Sequence, residues 1–407
     1  MATIPAAGEF KKSVNDVKKQ RQKNSILRNL YKHGPLSAPE LSRVLSVSLP
    51  TSLLLLNDLT GEGLVKPIGS GQSTGGRKPL LYALPEDSMY VIACDMGRYE
   101  AKMTLYNSHN VRVTPLVSID THIDDEALVD KLFEAAEKLI RENQIPSGKV
   151  VGIGVDMPGL VDSSLGINYT IKDPERREIR RALEKRFSHL VYVDNDARMQ
   201  AFGEYVFGKA KGCHNAININ WSWGLGLGMI LNDRLYGGRT GFAGELSHIQ
   251  IVDDGDLCIC GKRGCFETVA SANTILKLAR EGIREGKTTQ LSKKFKKNPE
   301  KMTPENVIAA ARQGDEFSIL VLSKTGQMFG KGLSYLIQLL NPEIIVLGGP
   351  IAKANQFVLT PIQHALNKYC LEQILQNTSI VISDIDEQSG LLGTTAMVFE
   401  KIFSDQP

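Results

Sequence analysis

Three cysteines and a histidine fall within 18 residues, in the stretch His248-Ile-Gln-Ile-Val-Asp-Asp-Gly-Asp-Leu-Cys258-Ile-Cys260-Gly-Lys-Arg-Gly-Cys265. The whole chain has 407 residues and only six cysteines, so such crowding is not a disulfide framework. Three thiols and an imidazole form a four-donor tetrahedral set suited to zinc, with no position left open for chemistry. Gly261 and Gly264 allow the tight turn that brings the last thiol round. The alternative, unrelated buried thiols, sits poorly with three cysteines in eight residues. Cys94, Cys213 and Cys370 have no such company and read as core residues.

The surrounding sequence alternates short Val/Ile-rich strands with helical stretches from Met89 onward. Lys149 to Asp162 reads as strand then loop. His189 to Gly208 reads as strand, polar turn, helix. Asn215 to Gly238 reads as a strand pair with a glycine-rich turn. Pro342 to Ala352 reads as strand, glycine turn, helix. This is an α/β body of about 320 residues, a length that splits into two lobes with a cleft. A hydrophobic content of 42% and a charged content of 23% are ordinary for a globular protein. The longest apolar runs, such as Leu53–Leu56 and Ile344–Leu347, fall far short of the roughly 20 residues of a membrane span. The N-terminus lacks the apolar core of a secretory signal, so the expected location is the cytoplasm.

Charge is unevenly placed. Residues 1–80 hold twelve Lys/Arg against five Asp/Glu, a net +7, and the remainder is −4. A basic head on a mildly acidic body suggests an anionic partner for the head alone. Residues 1–13 read as a disordered tail. Three short helices are expected next: Val14–Tyr31, one capped by Ser37 with Leu41, Val44 and Leu45 on a shared face, and one capped by Ser48 and ending at Gly61 or Gly63. A hairpin around a Gly/Ser-rich tip follows, and 84–88 reads as a linker. Three helices and a hairpin over residues 14–85 make a winged helix-turn-helix, whose third helix enters the major groove of double-stranded DNA by its N-terminal end. That end carries Ser48, Pro50, Thr51 and Ser52, which lack bidentate reach. Arg77 and Lys78 in the wing suit an A·T-rich minor groove. A solvated loop, or a winged helix that docks protein instead, are the alternatives.

The segments Ala243–Glu267, Val193–Glu204, Gly154–Asp162, Val346–Pro350 and Ser389–Ala396 together resemble the ROK family (repressors, open reading frames, kinases), over about residues 89–400. With the basic head, the chain resembles the family's sugar-responsive repressor branch. The resemblance implies an actin-like, two-lobed sugar-kinase fold for 89–407, with the zinc site at 248–265, and a homodimer or homotetramer. It implies a sugar or sugar-phosphate effector held by Asn195, Asp196, Glu245, His248 and Glu267. Asp196 corresponds to the general base of family kinases. His248 would turn one ring nitrogen to zinc and the other to the sugar, so the metal would fix its tautomer. Ser247 stands where the family usually has glycine.

The family's two phosphate turns are altered. Asp-x-Gly-Gly-Thr is here Asp95-Met96-Gly97-Arg98-Tyr99, and Thr-Gly-x-Gly is Trp223-Gly224-Leu225-Gly226. Both hydroxyls that would meet a triphosphate are replaced by large rings, at an expected cost of several kcal/mol. The expectation is a DNA-binding regulator, most simply a repressor, with no kinase activity. Its rivals are an active sugar kinase with a DNA-binding head, and a repressor switched by a protein partner at the membrane.

Overall fold

The computed structural model describes residues 14–70 and 78–404. The tail 1–13 and wing-tip residues 71–77, Arg77 among them, lie outside the described residues. The chain separates into two compact units, residues 1–195 with 394–407, and residues 196–393.

The first unit begins with the helix Val14–His33, which stops where Gly34, at φ +74°, turns the chain. Leu36–Ser37 forms a short strand. The helix Ala38–Leu45 follows, with the Glu40 carboxylate accepting from the Ser37 backbone N–H at 2.7 Å. Leu49–Gly61 is the third helix, with Ser48 at its cap accepting from Thr51 N–H at 3.3 Å. Leu41, Leu55, Leu56 and Leu59 are buried together with Ile26, Leu27 and Leu30. Val44, expected on the shared face, is instead 58% exposed. Lys66–Ser70 and Leu80–Ala83 pair antiparallel, and Leu36–Ser37 adds a third strand beside Leu80–Ala83. This is a winged helix.

The expected linker is pinned rather than loose. His109 Nε2 lies 2.8 Å from Leu84 O, the Ser108 hydroxyl donates to Pro85 O, and Lys149 meets Asp87 at 3.0 Å. Beyond it lies a five-stranded sheet in the order Leu190–Asn195, Val150–Met157, Tyr90–Met96, Glu100–Asn107, Val117–Asp120. The first two pairings are parallel and the last two antiparallel. Gly152 and Gly154 leave room for Val398 and Thr394 of the helix Asp386–Phe403. A Cβ on Gly154 would stand 2.3 Å from the Thr394 methyl.

The same helix seats the winged helix. Tyr31 packs its ring against Phe399 at 5.0 Å and Phe403 at 5.7 Å between centroids, and its hydroxyl donates to Asn110 Oδ1 at 2.7 Å. Arg28 and Lys32 both pair with Glu400, at 2.8 and 2.7 Å.

The second unit repeats the sheet pattern. Its five strands run Arg234–Leu235, Leu225–Leu231, Ala216–Trp221, Ile344–Gly348, Ser379–Ile382, with the central strand antiparallel to one side and parallel to the other. Gly226 and Gly228 admit the helix Asp196–Phe207. A Cβ on Gly228 would lie 2.4 Å from both Ala197 O and the Ala201 methyl. Much of this glycine-rich stretch therefore serves helix packing. The long helix Glu316–Leu340 backs the unit's core, where Phe329 stacks on Trp221 at 3.7 Å. Cys94 is buried in the first unit, and Cys213 and Cys370 are partly buried in the second. Among the described residues no single helix is long and apolar enough to cross a membrane.

Candidate functional site

The four expected metal donors converge. The donor atoms of His248, Cys258, Cys260 and Cys265 all lie within 4.8 Å of one another. Cys258 Sγ is 3.6 Å from His248 Nδ1, and Cys260 Sγ is 3.6 Å from Cys265 Sγ. A zinc ion with bonds of about 2.3 Å to sulfur and about 2.0 Å to nitrogen would space tetrahedral ligands by roughly 3.5–3.8 Å. The backbone builds this cage. Ile251 N–H donates to Gly264 O at 2.9 Å, Cys258 N–H to Lys262 O at 2.7 Å, and Gly264 N–H to Asp256 O at 3.0 Å. Gly264 has φ +70°, and a Cβ there would overlap Val252 O at 1.7 Å. Only glycine closes the loop.

The cage orients its neighbours. With Nδ1 toward the thiols, His248 turns Nε2 toward Glu245 Oε2 at 3.9 Å. Partial desolvation holds the Glu245 carboxyl above the ordinary carboxylate range, opposed by the charges of His248 and Arg198. Arg198 is a residue the sequence reading missed. It is 3% exposed on the helix Asp196–Phe207, with a guanidinium nitrogen beside Gly237. Its position three residues after Asn195 hinted at a site, but burial is not legible locally. Ser247 is buried. Past the last thiol, buried Phe266 packs on Phe329, and Glu267 follows it at a helix start. The Glu267 carboxylate sits against Gly224, where a Cβ would stand 2.8 Å from Oε2. Asp196 opens the helix Asp196–Phe207 and accepts from Ala197 N–H at 2.9 Å. Asn195 closes a strand of the first unit, donating from Nδ2 to Gly159 O at 3.1 Å. Asp196, Glu245, His248 and Glu267 thus share one unit, and Asn195 ends the other.

The Asp95 turn is a tight hairpin. Gly97 N–H donates to Glu100 O at 2.8 Å. Arg98 lies over the Tyr99 ring at 5.4 Å, and Tyr99 is 68% exposed. An open pocket of about 590 Å³ beside it is lined by Gly97, Arg98, Tyr99, Glu100, Ser118 and Asp120. Its two carboxylates outnumber the one guanidinium. Burial raises the Asp95 carboxyl, which is hydrogen-bonded to fully buried Asp156. Asp156 in turn accepts from the Thr394 hydroxyl at 2.7 Å. In the second unit, Trp223 is 45% exposed at the corresponding turn.

In the winged helix, Ser48 and Thr51 bond each other through their hydroxyls at 2.7 Å at the exposed N-terminus of the third helix, and Pro50 is exposed. Ser52 departs from the expectation of a DNA contact. It is fully buried and donates to Ala38 O at 3.2 Å, tying the third helix to the second. Lys78 is exposed at the base of the wing.

Comparison with known proteins agrees with this architecture. Residues 91–401 match the ROK family. The chain is 30% identical to the xylose repressor of Bacillus spizizenii over 394 residues, covering 94% of this chain and 96% of that one. It is 28% identical to the DNA-binding transcriptional dual regulator NagC of Escherichia coli, covering 94% and 93%. Among solved structures, a ROK family transcriptional regulator homologous to the E. coli MLC protein superposes with a TM-score of 0.83 at 26% identity, covering 96% and 98%. A ROK glucokinase from Streptomyces griseus, solved with glucose and AMPPNP, superposes at 0.66 with 25% identity, covering 76% of this chain and 98% of its own. The regulators match nearly the whole of this chain and the glucokinase 76% of it, and the family match spans 91–401: the chain belongs to the ROK family.

Proposed function

We propose that this protein is a cytoplasmic, sequence-specific DNA-binding repressor, active as a homodimer or homotetramer and switched by a sugar or sugar phosphate. The observation that carries the reading is the match to a ROK transcriptional regulator over 96% of this chain and 98% of that one. Ser48, Pro50, Thr51, Arg77 and Lys78 contact the operator. Asn195, Asp196, Glu245, His248 and Glu267 hold the effector hydroxyls. His248, Cys258, Cys260 and Cys265 hold a zinc ion, which fixes the His248 ring so that Nε2 faces Glu245. The chain's own residues do the binding, and the metal supplies rigidity.

Kinase activity is lost in this reading. Arg98 and Tyr99 occupy the first turn, Trp223 the second, and the pocket beside Arg98 carries Glu100 and Asp120, which repel phosphate. The helix Asp386–Phe403 contributes residues to both units and ends on Tyr31, Arg28 and Lys32 of the winged helix. Effector binding shifts operator affinity only if it favours one conformation of the protein over another.

The test is a pull-down of fragmented genomic DNA by the purified protein at about 0.15 M salt, sequenced with and without a mixed sugar and sugar-phosphate pool. A two-fold symmetric site that is lost with the pool is expected. No enriched site in either condition overturns the regulator reading. The likeness to a glucokinase body keeps one rival, an active kinase, which predicts sugar-dependent ADP release abolished by Asp196→Asn.

A further inference from the structure

The Leu49–Gly61 helix turns an apolar stripe outward. It buries Ser52, Leu55, Leu56 and Leu59, yet leaves Leu49 43%, Leu53 39% and Leu54 57% exposed. Pro50 and Asn57 are exposed with them, and Leu49, Leu53 and Asn57 follow one another at helical spacing. The helix's own carboxylate is directed away from this stripe. Asp58 is held by Lys19 at 2.6 Å and Lys23 at 3.5 Å, and Glu62, just past the helix end, by Lys23 at 2.6 Å. Arg43 of the preceding helix, and Lys66 and Lys78 of the wing, are exposed cations of the same small domain.

An exposed, uncharged, methyl-rich helix face in a domain that also exposes cations complements a particular surface. Phosphates line the edges of the major groove, and the only apolar group on its floor is the C5-methyl of thymine. Resting on the DNA-binding reading above, we propose that Leu49, Leu53 and Leu54 read thymine methyl groups, so that each half-site is specified by a thymine cluster through apolar contact. Asn57, at the far end of the stripe, suits the N6/N7 edge of an adenine. Exposed Arg43, Lys66 and Lys78 would meet phosphates, which position the domain and carry no sequence information.

The test replaces thymidine by deoxyuridine in an operator recovered from the pull-down. This removes one methyl per site and keeps every base pair. Wild-type affinity at about 0.15 M salt is expected to fall roughly fourfold per contacted position, the worth of one buried methyl-sized group. Leu53→Ala is expected to weaken binding to the thymine operator and to lose the thymine–uracil difference at its position, with an unchanged melting curve because Leu53 is exposed. Equal wild-type affinity for the two operators overturns the proposal while leaving DNA binding standing. Binding to no fragment at all overturns both readings. A Leu53→Ala change in oligomer mass, with the thymine preference intact, assigns the stripe to contact between copies and also overturns it.

Discussion

The two five-stranded sheets share one strand order but are put to different uses. Each seats a helix on paired glycines: Gly152 and Gly154 take Val398 and Thr394, and Gly226 and Gly228 take Ala197 and Ala201. Each places a turn after its central strand. In the first sheet that turn holds Arg98 stacked on exposed Tyr99, next to a pocket edged by Glu100 and Asp120. In the second, Gly224 lies against Glu267, two residues past a thiol of the metal cage. Topology therefore fixes where a turn falls, and side chains decide what surrounds it.

The contrast can be broken most forcefully at the metal. Cys265→Ser, or treatment with a chelator, is expected to lower effector affinity by about a hundredfold, because the four-donor cluster positions His248 and Glu267. Operator binding should persist, since the winged helix belongs to the other unit. Metal content by mass spectrometry alongside calorimetry of effector binding checks this. If operator binding is lost in step with the metal, the two units do not carry separate tasks.

Tyr31→Ala probes the opposite side. Removing a ring packed on Phe399 and Phe403 should destabilise the first unit by about 3 kcal/mol, read from urea unfolding. Effector affinity should be retained in the folded fraction. Glu245→Ala should weaken the effector by roughly tenfold to a hundredfold, the usual worth of hydrogen bonds to a charged group, and leave operator affinity unchanged. A mutant that responds to effector as wild type does would place the effector elsewhere.

Two smaller effects sharpen the account of the first turn. Burial raises the Asp95 carboxyl in the folded chain, so the folded state keeps its proton to higher pH than the unfolded state does. The associated stability is present below the unfolded value and is lost as pH rises through the folded one. Asp95→Asn, which needs no proton, should flatten that decline and raise the melting temperature slightly near neutrality. A mutant melting profile parallel to wild type from about pH 4, the ordinary Asp value, up to about pH 8 would assign the dependence to another group. Smallest of all, Arg98→Gly with Tyr99→Thr should improve nucleotide binding less than about tenfold, because Trp223 still fills the second turn. Full kinase activity in that variant would show that the first turn alone separates regulator from enzyme.

What the sequence alone determined is what its local patterns dictate. The four-donor cluster was legible because His248, Cys258, Cys260, Cys265 and the positive-φ glycines Gly261 and Gly264 lie in one short stretch. The winged helix was legible because caps, breakers and a hairpin follow in order: Gly34 ends one helix, Ser48 begins another. Arg98, Tyr99 and Trp223 at the two turns were legible because they stand in short linear motifs. Tertiary structure decided which side each residue faces. Ser52 and Leu53 are neighbours of opposite fate, one bonded inward to Ala38 and the other outward, because the second helix packs on one face only. Val44 was misplaced for the same reason. Arg198 is buried by a helix–sheet contact that glycines at 226 and 228 permit, and no periodicity announces it. Consecutive Asn195 and Asp196 fall in different units, since a chain can leave one core and enter the next across a single peptide bond. Local signals act through the backbone's few soft dihedrals, whereas facing and burial depend on segments tens to hundreds of residues away, such as Glu400 beside Arg28.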